Sequence, residues 1–99
     1  MRMMLKATIP VDAGNAAIKS GALAAAMQKT TELLKPEAAY FLAQDGQRSA
    51  LFFFDMKDAS QIPVIAEPLF MSMNASLTMT PVMNAEELQK GLAAAAKNF

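Results

Sequence analysis

Few side chains in this sequence are equipped to do chemistry. Glu67 is the most conspicuous carboxylate, set between Ala66 and Pro68 in a segment otherwise built from Ile62, Val64, Ile65, Leu69 and Phe70. A carboxyl partly buried among such neighbours has its charged form penalised and its pKa raised, which suits a general acid or base. The competing reading makes Glu67 a cap or an ion-pair partner at a break imposed by Pro68. Lys6 and Tyr40 fall in two segments of strand character. Facing a common interior, they would offer one cation and one hydroxyl to an anionic or carbonyl ligand in an apolar cavity. Otherwise Lys6 carries its ammonium to solvent and Tyr40 packs with its hydroxyl at a rim. Thr8, Thr78 and Thr80 can add hydrogen bonds to the same ligand, although threonine is also a good strand former.

The remaining candidates carry blander readings beside the chemical ones. Asp55 and Asp58 flank Lys57, an arrangement that reads better as a turn and a helix cap than as a cation site, so no metal is assigned. Arg48 can meet a ligand carboxylate or stay solvated on a hairpin shoulder. Asn15 and Lys19 can hold an anion or simply cap and solvate a helix start. Met71, Met73, Met79 and Met83, among nine methionines, can line an adaptable apolar pocket or fill a core or interface.

Composition removes whole classes of activity. The chain has 99 residues, no cysteine and no histidine. Thiol nucleophiles, disulfides and thiolate metal sites are excluded, and so is every mechanism built on an imidazole base. Nine Lys plus Arg balance nine Asp plus Glu. No clustered positive charge is present to displace counterions, so nucleic acid is not expected as a partner. No cofactor is assigned. One domain over residues 1–99 is expected, and a chain this short buries only roughly 65% of its unfolded surface. Yet 54% of its residues are apolar, above the usual range of about 45–50%. A homodimer or higher homo-oligomer is the simplest way to hide that surplus.

No membrane partner is expected. Met1-Arg2-Met3-Met4-Leu5 imitates the start of a signal peptide, but Lys6 and Pro10 interrupt it before an apolar stretch of about 7–15 residues accumulates. No stretch approaches the roughly 20 apolar residues that span a bilayer, and a cytoplasmic location is the expectation.

The elements that must position these side chains follow from the periodicity. Met3, Leu5, Ala7, Ile9 and Val11 alternate with Met4, Lys6, Thr8 and Pro10, predicting a strand with one apolar and one mixed face. Asp12-Ala13-Gly14-Asn15 ends it. Asn15 to Lys35 reads as helix, with Ala16, Leu23, Met27, Thr30 and Leu34 in one arc and a break expected near Ser20-Gly21; Pro36 terminates it. Ala38–Gln44 and Arg48–Met56 form two strands around Asp45-Gly46-Gln47, an antiparallel hairpin. The run Leu51-Phe52-Phe53-Phe54 predicts cover on both faces of the second. Asp58 with Gln61 signals a helix start, and Pro68 predicts that this helix stops near Glu67 before a second turn. Asn74 to Met83 alternates again, and Pro81 places that strand at an edge or bulge. Asn84 with Glu87 is a capping box into a final helix whose apolar stripe is Leu88, Leu92 and Phe99.

Strand, helix, strand, strand, helix, strand is the split βαβ order of the ferredoxin-like fold, an α+β class with a four-stranded antiparallel sheet and helices on one face; here an extra C-terminal helix follows. The bare face would carry Lys6, Thr8, Thr78, Thr80 and one side of the phenylalanine-rich strand. Two such faces brought together close a barrel across a dimer axis.

The segments Ala13-Gly14-Asn15-Ala16-Ala17-Ile18-Lys19, Leu34-Lys35-Pro36-Glu37-Ala38-Ala39-Tyr40-Phe41, Asp58-Ala59-Ser60-Gln61-Ile62-Pro63, Ile65-Ala66-Glu67-Pro68 and Pro81-Val82-Met83-Asn84-Ala85-Glu86 resemble those of an uncharacterised family of small bacterial proteins of similar length, nearly end to end. In fold that family is similar to the dimeric α/β-barrel superfamily, which includes muconolactone isomerases, small cofactor-independent monooxygenases and stress-responsive barrels. The resemblance implies the dimeric barrel but lends no activity, because fold does not fix function. Haem-binding and oxygenase members that rely on a histidine have no counterpart residue here.

The leading expectation is a homodimeric barrel that binds a small, largely apolar or aromatic ligand. An alternative is a cofactor-independent isomerase or monooxygenase-like enzyme on a small aromatic or lactone, with Glu67 moving a proton and Lys6 or Tyr40 steadying an oxyanion. A third is a structural or protein-interaction module working through an edge strand or the last helix.

Overall fold

The computed structural model describes residues 1–99 as an α+β chain. Its elements are β1 (Arg2–Ile9), α1 (Val11–Ser20), α2 (Ala22–Leu34), β2 (Ala38–Gln44), β3 (Gln47–Asp55), α3 (Gln61–Met73), β4 (Ser76–Pro81) and α4 (Ala85–Ala95), followed by a 3-10 turn over Ala96–Asn98. The strands form one four-stranded sheet in the order β2-β3-β1-β4, each neighbouring pair antiparallel. This arrangement is compatible with the ferredoxin-like fold. No helix is long and apolar enough to cross a membrane.

Alternation in β1 works as its residue types dictate. Met3, Leu5, Ala7 and Ile9 are buried, while Arg2, Met4, Lys6 and Thr8 are only partly covered. Ala50, Phe52 and Phe54 of β3 lie opposite the buried set and join it in the core, together with Leu34 of α2 and Ile65, Leu69 and Met73 of α3. The strand ends at Ile9 rather than Val11. Pro10 has φ near −57° and no N–H to give a ladder, and Val11 opens α1 directly after it. Asp12 to Gly14 are therefore helical rather than a turn.

The expected helix break is present, with Gly21 at φ 84° separating α1 from α2. Restarting the helix there also resets its phase. Ala17 is buried in α1, whereas Ala16 is exposed. Only glycine adopts this left-handed backbone at little cost, and open space surrounds the position. Gly21→Ala is therefore expected to destabilise the chain by about 1 kcal/mol through the backbone alone. Thermal unfolding should show this as a fall in Tm of roughly 4–8 °C; an unchanged Tm would mean that the break is not fixed by Gly21.

Two expectations about α3 are corrected. The helix runs through Pro68 to Met73 without a stop. Ile65, Ala66, Leu69 and Met73 face the core, while Val64 and Pro68 are exposed. The Val64 carbonyl that Pro68 cannot satisfy thus lies on the solvent side, where water can accept the role. The helix also begins at Gln61, not Asp58. The Gln61 side chain accepts from the Lys57 and Asp58 amides at 2.8 and 3.4 Å, and Asp58 takes the Ser60 hydroxyl. By contrast, Asn84 and Glu87 form both halves of the predicted capping box at the start of α4.

Candidate functional site

The helices cover one side of the sheet, so the register decides what the other side displays. Three cross-strand rows run over it: Ala38–Phe53–Met4–Thr80, Tyr40–Leu51–Lys6–Thr78 and Leu42–Ser49–Thr8–Ser76. All five predicted ligand-binding residues, Lys6, Thr8, Tyr40, Thr78 and Thr80, therefore share this face. Tyr40, Lys6 and Thr78 fall in a single row, across β2, β3, β1 and β4. Between the polar groups stand Leu51, Phe53, Met4 and Leu42, so the face is an apolar floor carrying isolated hydrogen-bonding groups.

Electrostatics single out Lys6. Its ammonium donates to Gln44 Oε1, a neutral acceptor, and no carboxylate lies within ion-pair distance. The charge is oriented by β2 but not neutralised by this chain. Arg2, at one end of the same face, differs: its guanidinium donates to Glu37 Oε1 at 3.0 Å and to Glu87. The Glu87 hydrogen bond and charge, aided by Glu37, raise the Arg2 pKa further. In turn the Asn84 amide, then Arg2, lower that of the Glu87 carboxyl. Arg2 thus ties the first turn of α4 and the entrance of β2 to the margin of the open face.

Glu67 does not join this constellation. It is exposed on α3, whose buried residues pack on the opposite side of the sheet. Of the two readings of Glu67, partial burial is absent: at about 100° per residue, Glu67 lies roughly 200° from Ile65 and Leu69, so its apolar sequence neighbours turn inward without it. Asp55 and Asp58 are also engaged elsewhere, Asp55 with the N-terminal amine at 2.7 Å and Asp58 with Ser60. No group of three potential ligands is close enough to hold a metal.

Arg48 lies on the helix side of β3, donating to Asn15 Oδ1 at 3.0 Å and more weakly to the Val11 carbonyl. Asn15, a proposed anion holder, is therefore a partner for Arg48. Beside them a groove of about 410 Å³ runs between α2 and β2 over Ile9, Leu23, Met27, Phe41 and Ala43. The residues that sequence reasoning passed over are Gln44, which orients Lys6, and Leu42, which joins the anticipated side of the phenylalanine-rich strand and Met4 in the floor. Pairing the alternation of the first strand with that of the phenylalanine-rich strand is the signal that finds the floor. Neither protein-family models, characterised proteins nor solved structures provide a match to this chain.

Proposed function

We propose that the chain forms a homodimer in which two open sheet faces meet as a dimeric α/β barrel and enclose a small, largely apolar or aromatic ligand. The observation that carries this reading is the single uncovered face on which Lys6, Thr8, Tyr40, Thr78 and Thr80 surround Leu51 and Phe53. Leu51 and Phe53 are apolar groups that a monomer leaves only half-buried, at a cost. A second copy covers them, and the polar groups then acquire a low-dielectric interior in which a few hydrogen bonds fix a ligand's orientation. Lys6, unneutralised, favours a ligand with one anionic or carbonyl oxygen. Tyr40 and the threonines supply donors or acceptors around it.

Binding is favoured over catalysis because the carboxylate considered as a base, Glu67, is on the other side of the sheet. The carboxylates at the end of that face, Asp55, Glu37 and Glu87, are engaged by the N-terminal amine and by Arg2, so what remains on the face orients and polarises a ligand.

Native mass spectrometry of the purified protein, stepped from gentle to denaturing conditions, tests both parts. The expected result is a dimer carrying a small molecule that departs on denaturation. A strictly monomeric species at micromolar concentration overturns the dimer. A dimer that takes up none of a panel of aromatic carboxylates and lactones overturns the ligand reading alone.

A further inference from the structure

We propose that the groove between α2 and β2 is a second binding site, one that takes a small aromatic carboxylate with its carboxyl group on the Arg48 guanidinium. The groove lies on the helix side of the sheet, separate from the open face and from any dimer formed there.

The cation is built into place. Arg48, near the start of β3, faces the helices: Asn15 Oδ1 accepts from Nη2 at 3.0 Å, and the Val11 carbonyl accepts from Nη1 at 3.5 Å. Both partners are neutral. Asp12 in the first turn of α1 and Asp45 in the β2–β3 turn are exposed, and neither is within ion-pair distance of Arg48. A guanidinium has five N–H donors in a fixed fork, so three of them have no partner in this chain. Gly14 shows that α1 is shaped around this group. Glycine weakens a helix interior relative to alanine, and Gly14 has no left-handed backbone to require it. A Cβ at that buried position would, however, meet Arg48 Nη1 at 2.6 Å. The helix gives up an alanine where the guanidinium lies against it, yet supplies no charge to balance it.

The groove beside the cation takes the apolar body. Arg48 is opposite Ala43 of β2, and two residues further along β3 Ala50 is opposite Phe41. The floor therefore runs about 7 Å from the cation to the Phe41 row. Leu23 and Met27, one turn apart on α2, form the wall. Its volume, about 410 Å³, falls within the roughly 300–1,000 Å³ of small-molecule sites. Phe41 is 64% exposed although it is on the helix side, because β2 is an edge strand with no helix packed over it. The edge-on contact with Phe52, at 6.0 Å and 88°, holds its ring in place.

Charge and shape together select the ligand class. An uncharged guest would leave the spare donors of Arg48 to water, whereas a carboxylate accepts two of them side by side. A ring set between Phe41 and the Met27 thioether makes the aromatic and sulfur contacts that those side chains favour. The short floor fits a single ring with its carboxyl group one or two bonds away.

Phenylacetate, with phenylacetamide as its uncharged counterpart, is the probe, titrated into protein carrying methyl-labelled methionine. The Met27 methyl resonance is expected to move saturably with the acid while that of Met4, on the open face, stays in place. The amide should bind roughly 10–100-fold more weakly, the worth of hydrogen bonds to a charged group. Asn15→Asp puts a carboxylate on the same guanidinium with little change of shape, and should weaken the acid by a similar factor without lowering Tm. Arg48→Met should weaken it equally; if that variant unfolds, Asn15→Asp decides alone. Equal affinity for acid and amide, or full affinity in Asn15→Asp, overturns the role of Arg48. No movement of Met27 at millimolar acid overturns the site. A Met4 shift that Lys6→Met abolishes assigns the acid to the open face, which overturns the groove and leaves the other ligand reading standing. A Met27 resonance that moves with protein concentration but not with the acid gives the groove to a second copy and likewise overturns the proposal.

Discussion

On the proposed face-to-face dimer, a chain with aspartate at both Leu51 and Phe53 is expected to sediment as a folded monomer at concentrations where the parent chain pairs. Both positions lie in the central rows of the open face, opposite Lys6 and Met4 of β1, and both are half-buried in the isolated chain. Each side chain therefore has only part of its apolar surface left to hide, worth about 1 kcal/mol apiece at the usual transfer coefficient. Two-fold symmetry doubles the loss, giving roughly 4 kcal/mol and about a 1,000-fold weaker dimer before any charge effect. Four carboxylates brought into one interior would add to that. The fold should survive because Phe52 and Phe54, which point into the core, are unchanged. Sedimentation velocity across a dilution series reads the association, and thermal unfolding reads the fold. An unaltered dimer would remove the open face from the interface. If the double variant unfolds instead, Thr78→Asp poses the same question at an exposed position on edge strand β4.

That design was largely legible before the structure, because period two is a property of the strand itself. The alternation from Met3 to Ile9 identifies the buried set residue by residue, and placing Lys6 and Thr8 on the opposite face needs only counting. Less legible was anything dependent on where a helix changes phase. Pro10 starts α1 earlier than Asp12-Ala13-Gly14-Asn15 indicates, and Gly21 restarts the helix so that Ala17, not Ala16, points inward. Glu67 shows the same limit from another side. Its neighbours in sequence are apolar, but burial on a helix follows angle rather than adjacency.

The phenylalanine run in β3 carries a further lesson. An unbroken apolar strand implies cover on both faces, and within one chain only the helix-facing side receives it. The cover for Leu51 and Phe53 is missing from the same chain that has 54% apolar residues. Composition thus states how much surface must be hidden, while topology states which face is left over. Neither names a ligand: in the proposed barrel, Lys6, Tyr40 and the threonines would select a chemical class rather than a molecule.

Phe52→Ala should be the most damaging single substitution in the chain, and Phe53→Ala one of the milder ones in the monomer. Phe52 is completely buried, opposite Leu5 of β1 and Ala39 of β2, and its ring meets Phe41 edge-on at 6.0 Å and 88°. Truncating it removes that contact and leaves a cavity in a core of only 12 residues, a change that typically costs about 3–5 kcal/mol. A domain of this size has total stability of order 5–15 kcal/mol, so the loss consumes a large part of it and should lower Tm by roughly 12–40 °C. Phe53 is one residue further on, but strand geometry sends it to the uncovered face. Its truncation removes less buried surface and no core contact, so about 1 kcal/mol is expected in the monomer, with the larger effect on dimerisation. Urea unfolding of both variants, at a concentration low enough to keep the chains monomeric, measures the difference directly. Near-equal losses would mean that β3 is set one residue out of register, because such a slip exchanges the two faces of the strand. The open face, its Lys6–Tyr40–Thr78 row and the dimer built on it would all fall with that result.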